Sequence, residues 1–109
     1  MTVDTTHFWW FRELNFALWR LASAPDFDDP HSPGFSVGED IAQDIDHFWS
    51  LINSHYADII DLDFKSRMVA LDRDLDQCSD WSNIAFLTSD FWENVRAASR
   101  DIVILRVIS

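Results

Sequence analysis

All three prolines and both glycines of this chain fall in one stretch, PDFDDPHSPGFSVG, from Pro25 to Gly38. Proline and glycine are the strongest local interrupters of regular structure. Their confinement marks one long loop at about 25–38, and its acids Asp26, Asp28 and Asp29 read as solvated. On either side apolar residues recur at helical spacing.

The first helix is expected from Thr5 to about Ala24, capped by Asp4, Thr5 or Thr6. Phe11, Leu14, Leu18 and Leu21 make its stripe, flanked by Trp10 and Ala17. Trp9, Phe16 and Trp19 fall outside that stripe. A helix apolar on nearly every side is either central to a bundle or part of an interface, and the central position is the favoured reading.

A second helix should begin near Ser36, which has capping-box spacing to Glu39. Its stripe is Ile41, Ile45, Phe48, Trp49, Ile52 and Tyr56, with Asp40, Asp44, Asp46 and His47 on or beside the opposite face. A third runs from about Asp61 to Cys78, burying Phe64, Met68, Leu71, Leu75 and Cys78 and turning Asp72, Asp74 and Asp76 outward. Asp63 and Arg67 are spaced as an i,i+4 ion pair. Ser79 or Asp80 then caps a short helix holding Trp81, Ile84 and Leu87, and Ser89 or Asp90 caps a last one. That last helix points Phe91, Trp92 and Val95 inward and carries Arg96 and Arg100 late, where cations suit the dipole.

The tail, DIVILRVIS, has the β-branched run of a buried strand. A lone strand leaves its backbone groups unpaired, so the tail either pairs with something, another chain included, or is helix. The expected fold is mostly α: a compact bundle of four to five helices in one domain spanning residues 1–109, with a short C-terminal strand as the open question. At this length a chain can bury a core without metal or disulfide, and Cys78, its only cysteine, cannot form an internal one.

Charge narrows the partners. Nineteen acids, overwhelmingly Asp, oppose eight bases, of which only Lys65 is lysine, for a net charge of −11. Such a field repels nucleic acid and anionic membrane surfaces and attracts cationic partners, raising their on-rates. No basic segment followed by an apolar stretch opens the chain, and no run has the length of a membrane span. The expectation is a cytoplasmic protein that binds neither nucleic acid nor membrane.

Searching for chemistry yields little. Two glycines leave no phosphate-cradling loop. Asp72, Asp74 and Asp76 share the 1, 3, 5 spacing that opens a calcium loop, but Gln77 and Asn83 stand where Gly and Glu are required. His7, His31, His47 and His55 match no zinc pattern. Cys78 lies on an apolar helix face and reads as core rather than nucleophile. Carboxylate pairs are too numerous to single one out as an acid–base couple. The reading is a non-enzyme without cofactor or metal.

What stands out is where the acids sit. Asp40/Asp44 and Asp72/Asp76 are like-charge i,i+4 pairs that work against the helices bearing them, and Asp is a poorer helix former than Glu. Short carboxylates on helices suit the capture of Arg and Lys from a partner. The partner-binding residues are therefore expected to be Asp40, Asp44, Asp72, Asp74 and Asp76, with rings such as Trp9 or Trp19 as apolar anchors.

In size, acidity, lack of catalytic motifs and the acidic-aromatic stretches LDRDLDQCSDW (Leu71–Trp81) and SDFWENVR (Ser89–Arg96), the chain resembles the small immunity proteins of bacterial toxin-delivery systems, including contact-dependent growth inhibition. The resemblance implies an antitoxin that neutralises one cognate basic toxin, a nuclease, by covering its nucleic-acid-binding or active site. The alternative is an acidic interaction subunit or adaptor that assembles through Ile102–Ile108.

Overall fold

The computed structural model describes residues 5–23 and 36–109. They form five helices: α1 (Trp9–Ala22), α2 (Val37–Tyr56), α3 (Leu62–Asp76), α4 (Asn83–Thr88) and α5 (Asp90–Val103). The fold is a mostly α bundle, and among the described residues there is no strand, only one isolated bridge. Asp4 and most of the 25–38 loop lie outside the described residues. The loop's last members, Val37 and Gly38, are already the first turn of α2.

The caps explain most of the boundaries. Ser36, Ser82 and Ser89 each accept a hydrogen bond from the backbone N–H three residues on, and Asp61 accepts one from Asp63. The α4 cap is thus Ser82, not Ser79 or Asp80. Asp80 instead accepts from the Ser82 N–H, shaping the turn that presents the cap. α1 begins later than the threonines suggest. Residues 5–8 form a turn in which the Phe8 N–H donates to the Thr5 carbonyl, and Phe8, at the N-cap, supplies no side-chain cap.

α1 and α2 form an antiparallel pair. The start of α1 meets the end of α2, where the Trp10 and Tyr56 rings touch, and its end meets the start of α2, where Arg20 reaches Asp40. Leu14, Leu18 and Leu21 of α1 and Ile41, Ile45 and Ile52 of α2 are almost wholly buried. α5 closes on α1 through Ser99, fully buried, whose hydroxyl donates to the Leu18 carbonyl at 2.7 Å. α3 adds Phe64, Met68, Leu71 and Leu75, with Phe64 set edge-on to Trp49.

The short α4 buries Ala85 and Phe86, whereas Ile84 and Leu87, the residues its spacing favoured, are only half-buried. A helix this short touches the core by its end as much as by its face. Phe86 packs on Trp92 of α5, and the first turn of α2 closes over both rings.

The tail, left open between strand and helix, divides between the two. Asp101–Val103 completes α5, where Ile102 is buried like any core position. Only the end of the chain is extended. Ile108 bridges Ile60 antiparallel, the Asp61 N–H donates to the Val107 carbonyl at 2.8 Å, and the Ser109 N–H donates to the Ile59 carbonyl at 3.0 Å. The partner that the tail needs lies in the α2–α3 link of the same chain. β-branched residues suit either state when buried, and a helix already growing from Asp90 extends into Ile102 and Val103.

Candidate functional site

The five aspartates do not form one patch. Asp40 and Asp44 point along the α1–α2 seam, where one guanidinium nitrogen of Arg20 lies 3.1 Å from Asp40 and 3.8 Å from Asp44. Their mutual repulsion is relieved by a base from the neighbouring helix, which sequence spacing within α2 does not reveal. Both side chains keep substantial exposure, 40% and 48%, so they remain available to a second cation.

Asp72, Asp74 and Asp76 divide because alternate residues of a helix face nearly opposite ways. Asp74 is exposed beside Gln77, Phe91 and Asn94, toward α5. Asp72 and Asp76 instead line a cleft of about 310 Å³ between α2 and α3, together with Glu39, Gln43 and Asp46 of α2 and with Cys78 and Trp81. Asp46 is the residue the sequence reading missed. It follows buried Ile45 just as Asp72 follows buried Leu71. Two helices that bury adjacent positions against each other bring the next residue of each to the rim of their seam, a signal available only once α2 and α3 are known to be neighbours.

The electrostatics of this cleft differ from those of the rest of the surface. Partial burial, the charge of Asp46, a hydrogen bond with Asp46 and the charge of Asp76 together push the Asp72 carboxyl from the usual 3.8 to about 6. Cys78 is half-buried rather than core. Burial pushes its thiol up, and the sulfur donates to the Asp80 carbonyl at 3.3 Å. Among the described residues no three His, Cys, Asp or Glu side chains are grouped to hold a metal ion, and no helix is long and apolar enough to cross a membrane.

The central position expected for α1 is overturned. Trp9, Phe16 and Trp19 are 48%, 61% and 51% exposed. At 3.6 residues per turn these three, with Arg12 and Arg20, fall within an arc of about 100° on the outer side of α1. Trp9 meets Phe48 of α2 edge-on at 6.0 Å, and Arg20 carries the other end of the face to Asp40 and Asp44. The result is a surface with aromatic rings along its length and two carboxylates at one edge. Isolated exposed rings are ordinary, but a row of them on one helix face is what interaction surfaces carry.

Comparison with known proteins found no matching family model, no matching curated protein and no matching solved structure.

Proposed function

We propose that this chain is an immunity-type binding protein that neutralises a cognate basic toxin, a nuclease, by seating the outer face of α1 and the start of α2 over its nucleic-acid-binding or active site. One observation carries the reading: Trp9, Phe16 and Trp19 stand exposed on one face of α1, and that face ends at Asp40 and Asp44. Rings with few rotatable bonds make good anchors once desolvated. A net charge of −11 draws a basic partner in, and carboxylates at the edge of the face can occupy places otherwise taken by phosphates. The adaptor alternative has less support, because Ile102 is buried in α5 and the backbone of Val107 and Ser109 is hydrogen-bonded to the chain's own Ile59 and Asp61.

The test is co-expression with the product of the neighbouring reading frame, followed by binding measurements on the purified pair. The intact protein should restore growth. The Phe16→Ala, Trp19→Ala double variant should fold normally and lose about 2 kcal/mol or more of affinity, roughly thirtyfold in Kd. Asp40→Asn with Asp44→Asn should slow association and flatten its salt dependence. A neighbour that is not toxic sinks the immunity reading. Unchanged affinity in the ring variant sinks the assignment of the face.

A further inference from the structure

The acids that do have a base include Asp40 and Asp44, served by Arg20, and Asp63, served by Arg67 at 3.2 Å. The α2–α3 cleft is built otherwise. Glu39 and Asp46 face it from α2, Asp72 and Asp76 from α3, and the Cys78 thiol from the segment that follows. Trp81 adds an uncharged wall, and no lining residue comes from α1, α4 or α5. Among the described residues no Arg, Lys or His lines the cleft and no base pairs with Asp46, Asp72 or Asp76. Arg73, next to Asp72 in sequence, is exposed and stands outside the lining.

Two carboxylates that face each other without a cation repel. The same two with one proton between them attract, because one becomes a donor and the other accepts. The apolar part of the seam, where Trp49 meets Phe64, is indifferent to that proton. The cleft part is not.

We propose that the α2–α3 seam is a proton-operated latch, drawn together at the cleft by one proton shared between Asp46 and Asp72 and loosened when that proton leaves. The high affinity of Asp72 for a proton fits this geometry, since burial and its two acidic neighbours all favour the neutral form. A carboxyl whose folded pKa lies above its unfolded value stabilises the fold below the unfolded value, and loses that contribution as pH rises through the folded one. For Asp72 the window runs from 3.8 to about 6. Stability contributed by the cleft therefore falls as pH rises through this window and stays low at neutral pH. Cys78 keeps its proton throughout, because burial raises it further above an already alkaline value.

Cys78 is the chain's only cysteine and lines the cleft, so it reports on opening. The experiment follows the rate at which a neutral dithiodipyridine reagent reacts with Cys78 from about pH 5 to about pH 7.5, in the wild type, Asp72→Asn, Asp46→Asn and Asp74→Asn. An amide at position 72 or 46 supplies the donor permanently and keeps the latch shut at every pH. The wild-type rate relative to either of these variants should rise several-fold with a midpoint near pH 6, and Asp74→Asn should behave as wild type. In parallel, the Asp72 carboxyl carbon followed by NMR should titrate near pH 6 in the wild type and lower in Asp46→Asn. A rate ratio that stays constant with pH, or an Asp72 midpoint below about 4.5, overturns the proposal. The NMR titration of the wild type decides the matter even if a variant fails to fold.

Discussion

Gly38→Ala is a sharp test of how the start of α2 is seated. Gly38 is buried in the first turn of α2, and a Cβ there would stand 2.9 Å from two carbons of the Trp92 ring and 3.1 Å from a carbon of Phe86. These are the bodies of aromatic rings rather than the ends of flexible chains. Trp92 cannot easily yield. It is 1% exposed, its ring N–H donates to the Asp80 carbonyl at 3.2 Å, and Trp81, Phe86 and Phe91 all contact its ring. Alanine is a better helix former than glycine by up to about 1 kcal/mol, and less in a first turn. Forcing a methyl into a packed core costs about 1–3 kcal/mol. The net expectation is a loss of about 1–2 kcal/mol, or roughly 5–10 °C in Tm for a domain of this size. Thermal unfolding followed by far-UV circular dichroism measures it, with the near-UV tryptophan signal reporting the displaced ring. Adding Phe86→Leu should make the double variant lose less than the sum of the singles, because the smaller side chain gives the methyl room. A Gly38→Ala protein as stable as wild type, or more so, would mean that the α2 turn does not press on Trp92 as described.

Two further substitutions probe the polar contacts that tie the short helices down. Arg96 is 8% exposed, lies over the Phe86 ring at 5.1 Å and donates to the Phe86 carbonyl at 2.7 Å near the end of α4. Arg96→Ala should cost about 2–4 kcal/mol in urea unfolding and Arg96→Met roughly half of that, because methionine keeps the packing and loses only the polar contacts. A methionine variant no better than alanine would refute the packing share. The Ser36 hydroxyl accepts from the Glu39 N–H at 3.1 Å and donates to the Trp81 carbonyl at 2.6 Å. Ser36→Ala should therefore cost about 1–2 kcal/mol, more than a simple cap, with threonine restoring most of it.

The helices were legible because their signals are local. Ser36 and Ser89 cap where their spacing to the following turn says they should, and the stripes Ile41–Tyr56 and Phe64–Leu75 are the buried faces. What sequence could not carry was set by neighbours. The exposure of Trp9, Phe16 and Trp19 depends on how many sides of α1 are covered, and periodicity cannot count neighbours when apolar residues surround a helix. Arg96 looked like a cation placed for the α5 dipole but is buried against Phe86, ten residues back and on another helix. The tail was ambiguous because its residues are equally at home in the core of a helix and in an extended pair, and Ile59–Asp61 offers no strand pattern of its own to announce a partner.

Position within the bundle also changes what the acids mean. By i,i+4 spacing alone Asp40/Asp44 and Asp72/Asp76 are alike, pairs that destabilise their own helices. Arg20 offsets the first pair from across the α1–α2 seam, so the net cost there is small for an exposed ion pair, and the carboxylates still face solvent. Among the described residues no such base serves the second pair, and Asp46 adds to its charge. Steering of a basic partner belongs to both, since long-range attraction depends on net charge rather than on pairing. Contact is another matter. A partner that anchors on Phe16 and Trp19 meets Asp40 and Asp44 at the edge of the same face, whereas the Asp46–Asp72 pair lies in the seam on the α3 side of α2. Asparagine at 40 and 44 should therefore change dissociation as well as association, while asparagine at 72 should leave dissociation unchanged and act only through steering and through what depends on the proton.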